Sequence, residues 1–194
     1  RQGRITGATG TGNPVTRQGL AESFSDAGVP VFCADVKGDL SGVAEKGEPK
    51  DWVEKRAEEI GYKVEYKAYP VIFWDLFGEQ GAPIRATVTE MGPLLLSRLM
   101  DLSEAQEGVL NIAFKIADDE KLPLLDLKDL QALLENLATR DDLTTKYGNV
   151  TKATVGSIQR ALLVLEQQGA AHFFGEPALD INDLMRTDRS GRGY

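Results

Sequence analysis

Six residues near the start of the chain, Gly7-Ala8-Thr9-Gly10-Thr11-Gly12, have the make-up of a turn that wraps an anion. Glycines let a backbone fold tightly enough for successive N–H groups to point into one hollow. A phosphate-cradling loop reads G-x-x-x-x-G-K-[ST], where the Lys reaches the terminal phosphates and the hydroxyl holds Mg²⁺. Gly7 and Gly12 have that spacing, but Asn13 and Pro14 stand where the cation and the hydroxyl belong. Pro14 also takes away one backbone donor. What remains is a partial anion nest, drawn from Gly7, Thr9, Gly10, Thr11, Gly12, Asn13 and Thr16, at the positive end of a helix. Such a nest holds a phosphate weakly. Without the Lys charge and the metal-binding hydroxyl, stabilisation of a transferring phosphoryl group falls by orders of magnitude. A glycine turn with no ligand accounts for the same residues.

A second chemistry fits the turn as well. Thr6-Gly7-Ala8-Thr9-Gly10, then a helix, then an acid at the end of the next strand, is similar to a dinucleotide-binding turn. Asp35, 23 residues beyond Gly12, is near the place of a ribose-binding acid. Against it, Asn13 occupies the third glycine position and no Tyr-x-x-x-Lys pair follows. Val71-Ile72-Phe73-Trp74-Asp75 has the form of a strand presenting a metal-binding Asp, yet Leu76 follows where a catalytic acid would stand. A strand-end Asp also caps turns. Lys37, in Asp35-Val36-Lys37-Gly38-Asp39, could supply charge missing at Asn13, although a solvated loop lysine explains it too. His172, the sole histidine, has no acid or cysteine at ligand spacing, and Cys33 reads as a small core residue. No catalytic or metal-ligating set assembles from the sequence. Lys50, Lys55, Arg56, Lys63 and Lys67 alternate with glutamates and read as a solvated face.

These side chains need elements to hold them. Arg4-Ile5-Thr6 reads as a short strand, and Pro14 opens a helix to about Ala27, with Val15, Leu20, Ala21 and Phe24 on one side and Gly28 as its stop. Residues 29–34 form an apolar run ending in Asp35, as a buried parallel strand would, completing a βαβ unit. Residues 51–60 read as an exposed helix ended by Gly61, residues 70–75 as the next buried strand, and 85–89 as a shorter one. From Met91 the character changes. Val109, Ile112, Ala113 and Ile116, then Leu127, Leu130, Leu134 and Leu137, then Val155, Ile158, Leu162 and Leu165 repeat at helical spacing, which predicts three amphipathic helices packed as a core. A polar loop, 139–151, precedes the last. The expected fold is α/β: residues 1–90 a core of parallel strands with flanking helices, and residues 91–194 a helical part with a polar tail.

Composition bounds the functions. The chain has 194 residues, 42% hydrophobic and 27% charged, enough to close a core and too apolar for a disordered segment. No stretch approaches the roughly 20 apolar residues of a membrane helix. A net charge of -8 excludes a strongly basic nucleic-acid module, so any polyanion contact has to be local. The single cysteine cannot form an internal disulfide. The chain opens on Arg1 rather than Met, with no basic and apolar leader before the glycine turn, and it ends in a polar tail. We expect a piece of a longer polypeptide.

A wider set of residues carries a family resemblance. Ile5-Thr6-Gly7-Ala8-Thr9-Gly10-Thr11-Gly12, Phe24-Ser25-Asp26-Ala27-Gly28-Val29-Pro30-Val31-Phe32 and Ala34-Asp35-Val36-Lys37-Gly38-Asp39-Leu40-Ser41-Gly42 resemble the bacterial HerA-like P-loop ATPases, in their YjgR-type branch. So do Trp74-Asp75-Leu76-Phe77-Gly78, Thr89-Glu90-Met91-Gly92-Pro93, Tyr147-Gly148-Asn149-Val150, Phe174-Gly175-Glu176-Pro177 and Asp183-Leu184-Met185-Arg186-Thr187-Asp188. The resemblance implies a RecA-like core interrupted by a helical insertion, ATP with Mg²⁺ at the opening glycines, a cytoplasmic protein, hexameric assembly as in relatives, and DNA as a partner of those relatives. It also implies that the acidic strand of the family would follow Tyr194, and it reduces Asp75 to an ordinary strand-end residue. With Asn13-Pro14 in place of Lys and Thr, we expect ATP binding with little or no hydrolysis. The alternatives are a non-catalytic scaffold or interaction module, and an NAD(P)-binding oxidoreductase-like domain.

Overall fold

A computed structural model describes residues 3–4, 6, 12–140, 147–148 and 150–194, with Asn13 described for its backbone only. The chain folds as two compact units, one of Arg1–Ile72 with Asp180–Tyr194 and a second of Phe73–Leu179.

In the unit containing Arg1–Ile72, helix α1 spans Asn13–Asp26 with Pro14 in its first turn. It ends as the sequence predicts. Gly28, at φ 76°, lets Val29 N–H reach back to Phe24 O at 2.9 Å and Gly28 N–H to Ser25 O at 2.9 Å, which satisfies carbonyls left open by the helix end. Its apolar side is not covered, however: Val15 and Phe24 are 68% and 50% exposed, and the buried residue of α1 is Ser25. A one-turn 3-10 segment, Ser41–Ala44, follows the loop, and helix α2 spans Asp51–Glu59.

The segment 29–34 departs from expectation. It makes no ladder, Phe32 is 65% exposed, and Cys33 is exposed rather than a core residue. A buried parallel strand needs a hydrogen-bonded neighbour on each side. Of the neighbours the sequence proposed, the stretch around Ile5 lies largely outside the described residues, and residues 70–75 pair elsewhere. The partner that 29–34 does have comes from the chain's end. Val31 N–H donates to Tyr194 O at 2.8 Å, and Gly193 N–H to Ser25 O at 2.8 Å. The polar tail is therefore fastened. Ser25 Oγ donates to Gly193 O, and the Arg192 guanidinium donates to Ala68 O at 3.1 Å and to the Asp188 carboxylate.

The unit Phe73–Leu179 is mostly helical. Strands β1 (Trp74–Asp75) and β2 (Ala82–Pro83) pair in parallel and are the one ladder among the described residues. The strand expected over 85–89 is replaced by a single parallel bridge, Ala86 to Phe174, because Thr87 caps a helix instead. Its hydroxyl accepts from Glu90 N–H at 3.1 Å, and the Glu90 carboxylate accepts Thr87 N–H at 3.3 Å in return. That helix, α3 (Val88–Leu99), breaks at Gly92 and restarts at Pro93, whose missing N–H is harmless in a first turn. Helices α4 (Glu104–Asp119), α5 (Leu127–Leu137) and α6 (Lys152–Gln167) are the three amphipathic helices the spacing predicts. Their apolar stripes close on one another through Leu110, Ala113, Leu130, Leu134, Ile158 and Leu162, all fully buried. Residues 141–146 and 149, within the polar loop the sequence predicts, lie outside the described residues. After α6 the chain turns at Gly169, φ 92°, where a Cβ would sit 2.5 Å from the Phe77 ring, and a short helix α7 (Ala170–Phe173) follows. No described helix is long and apolar enough to cross a membrane.

Candidate functional site

Of the residues the sequence assigns to an anion nest, Gly7, Thr9, Gly10 and Thr11 lie outside the described residues, while Gly12, Thr16 and the backbone of Asn13 lie inside them. Gly12 caps α1 in the left-handed region, at φ 87° and ψ 20°, with open space where a Cβ would stand. Only glycine takes that conformation without strain. No side chain caps the helix, and its first turn holds no acid. Its positive end is thus not neutralised by its own first turn, the condition for attracting an anion. Thr16 does something the sequence did not suggest. Its hydroxyl and its N–H both donate to Gly12 O, at 3.2 and 3.0 Å, so its side chain is turned back onto the helix start.

The loop after segment 29–34 lies beside this helix. Gln18 Nε2 donates to Asp39 O at 3.0 Å, tying the second turn of α1 to the Asp35–Leu40 loop. Asp35 organises that loop from within: Oδ1 accepts Gly38 N–H at 3.0 Å and Asp39 N–H at 3.2 Å, and Oδ2 accepts Leu40 N–H at 2.9 Å. The Leu40 amide foremost, and the neighbouring amides after it, hold this carboxyl below its ordinary value. Both oxygens are engaged by the loop's own backbone, which gives Asp35 a structural occupation in place of the ribose contact considered above.

Asp75 is engaged in the same manner. Its carboxylate accepts N–H bonds from Phe77 at 3.2 Å, Glu79 at 2.8 Å and Gln80 at 2.9 Å, and these amides, Gln80 first, keep its pKa low. It is the turn cap that a strand-end Asp commonly is. Among the described residues no three His, Cys, Asp or Glu side chains converge as a metal site. His172 is exposed and meets the Phe77 ring edge-on at 6.2 Å.

The structure also joins residues that motif reading did not connect. Lys67 Nζ pairs with Asp26 at 2.7 Å, and Tyr69 Oη donates to the same carboxylate at 3.2 Å. Lys67 had read as one lysine of a solvated face, and 41 residues separate it from its partner, so no local signal links them. Gln18 and Ser25 are equally silent, each bonded to a carbonyl far along the chain.

A family model described as "Helicase HerA-like C-terminal" matches residues 1–194 of the chain. No curated protein and no solved structure matches it.

Proposed function

The chain belongs to the helicase HerA-like C-terminal family, and from that membership we propose that residues 7–16 are the phosphate-binding segment of a HerA-like ATPase domain that binds ATP but turns it over little or not at all. The observation that carries the reading is the start of α1: a left-handed Gly12 with no described atom within 4 Å of where a Cβ would stand, heading a helix with no side-chain cap among the described residues and no acid in its first turn. Backbone amides there suit a phosphate oxyanion. ATP, when bound, supplies the anion and its Mg²⁺. The chain's own contribution is amide donors and the helix end, and nothing in the first turn supplies a mobile cation. Asn13 lacks the charge of a Lys, Pro14 brings neither hydroxyl nor N–H, and the Thr16 hydroxyl is spent on Gly12 O. Binding without efficient phosphoryl transfer follows from that set. Self-association fits the exposed Val15, Phe24, Phe32 and Val36, and DNA is a partner drawn from the family alone.

Equilibrium titration with ATP and Mg²⁺ tests the reading. We expect weak saturable binding, a turnover near background, and an affinity raised about tenfold or more by Asn13→Lys with Pro14→Thr, since a charge-assisted contact contributes about 1.5–3 kcal/mol. No binding to either protein at millimolar ATP would favour a non-catalytic interaction module instead. Equal affinities would show that the glycine segment is not where the nucleotide sits.

A further inference from the structure

Helix α6 buries one side and leaves the other bare. Val155, Ile158, Leu162 and Leu165 turn into the core, so Ala153, Gly156, Arg160, Leu163, Val164 and Gln167 share the opposite side. Leu163 and Val164, near the helix end, are 51% and 53% exposed. Near its start the same side carries only Ala153 and Gly156, so the face is bulky at one end and slight at the other. Between them, Arg160 Nη2 donates to Ser157 Oγ at 2.8 Å, which draws the guanidinium toward the helix start.

The charges on its flank run against the helix. Lys152 stands in the first turn, at the positive end, and Glu166 in the last, at the negative end. No acid in the first turn and no base in the last offsets them, and neither has an ion-pair partner among the described residues. Lys152, Gln159 and Glu166 recur every seven residues and so lie along one flank. From the neighbouring helix α5, Glu135 reaches the middle of that flank, its Oε1 accepting from Gln159 Nε2 at 3.4 Å.

We propose that this face pairs, antiparallel, with the same face of a second copy of the chain about a two-fold axis near Gln159. A two-fold contact is self-complementary, so each copy supplies what the other lacks. Leu163 and Val164 of one lie over Ala153 and Gly156 of the other, Lys152 of each faces Glu166 of the other, and Arg160 meets the acid Glu135 near the axis. Each flank charge then sits beside a helix end of the sign that favours it. The parallel arrangement sets Lys152 against Lys152 and bulk against bulk. An unrelated helix would have to carry this pattern in reverse, whereas a second copy carries it by symmetry. The contact is made by the helical unit and does not rest on the nucleotide reading. The helix has 16 residues, about 24 Å at about 1.5 Å per residue, which makes the interface small and the dimer weak.

Sedimentation equilibrium of the whole chain tests this at about 0.15 M salt, where only close charge pairs escape screening. The average mass should rise above that of one chain as the concentration approaches about 1 mM. Leu163→Ser with Val164→Ser should weaken association about tenfold or more, as for loss of the apolar centre of an interface. Lys152→Glu and Glu166→Lys, at surface positions where folding is little affected, should each weaken it about threefold or more by setting like charges face to face. Mixed in equal amounts, these two variants should regain the native association, since one then carries acids at both flank positions and the other bases. Lys55→Glu, on α2, should leave association unchanged. A chain that stays monomeric to that concentration overturns the proposal and leaves the face to a helix of another protein. So does association that survives the Leu163 and Val164 changes, which belongs to another surface, or that falls equally with Lys55→Glu. A mixture that associates no better than its two variants alone overturns it as well.

Discussion

The two compact units of this chain are held together by different forces. Every member of the buried apolar cluster lies within Phe73–Leu179. In the unit of Arg1–Ile72 with Asp180–Tyr194, the buried apolar side chains among the described residues are Ala57 and Tyr69, while Val15, Phe24, Phe32 and Val36 face outward. What orders that unit is a set of polar stitches: the Lys67–Asp26 pair, the Ser25 and Val31 bonds to the tail, and the carboxylate-capped loops. The contrast follows from where the partners of each element lie along the chain. Amphipathic helices joined by short connections find their core among their neighbours. A parallel strand buries itself only between strands supplied from far away.

Truncating one apolar side chain in each unit puts the contrast under its severest strain. Leu110 is fully buried, so Leu110→Ala should cost about 2–5 kcal/mol through lost transfer energy and the cavity left behind. Phe32 is larger but 65% exposed, and Phe32→Ala should stay within about 0.5 kcal/mol. Urea unfolding of both variants measures the difference. Equal costs would mean that segment 29–34 is buried in the protein in solution, and the distinction between the units would fall.

A smaller effect is expected at Ser25. Its hydroxyl is buried and donates to Gly193 O, so Ser25→Ala leaves a carbonyl unpaired at a cost of about 1–3 kcal/mol. The loss should be local. Amide exchange at Val31, whose N–H is held by Tyr194 O, should accelerate, whereas amides of α4 and α5 should keep their protection. Uniform acceleration in both units would show that they unfold as one.

The same contrast explains what could be read from the sequence. The stripes of Val109 to Ile116, Leu127 to Leu137 and Val155 to Leu165 each became a helix with that stripe buried, because helical period and burial are written in the same local residues. The α1 stop at Gly28 and the turn-capping of Asp75 were legible for the same reason. The buried strand at 29–34 was not, since an apolar run states a preference for burial without stating what does the burying. Cys33 was misplaced with it. The glycine motif was legible as a motif, and it named Gly12, but it could not show that Thr16 would fold its hydroxyl onto Gly12 O. Contacts such as Gln18 to Asp39 and Asp26 to Lys67 arise only once distant segments meet.

The smallest effect separates the units by pH. Asp188 Oδ1 accepts from Ser190 Oγ at 2.6 Å and from Arg192 N–H at 3.0 Å, and Oδ2 accepts from Arg192 Nη2 at 3.0 Å. These bonds, the Ser190 hydroxyl foremost, lower its pKa from 3.8 to about 2. A carboxyl depressed in the folded state favours folding while it is ionised. Its contribution is therefore complete above the unfolded value of 3.8 and disappears as the pH falls through about 2. The Asp188 side chain is 16% exposed, but these partners all lie within the tail, so the effect on global stability should be slight. It is readable locally: the Asp188 carboxyl carbon should titrate near 2 by NMR, and Ser190→Ala should move that midpoint back toward 3.8. Methyl resonances of Leu110 and Leu134 should stay still across the window in which the tail loosens, because no carboxyl group is buried in their core among the described residues. A midpoint at the ordinary value in the unaltered chain would mean the tail is not gripped by Asp188. One of the stitches that substitute for a hydrophobic core in this unit would then be missing.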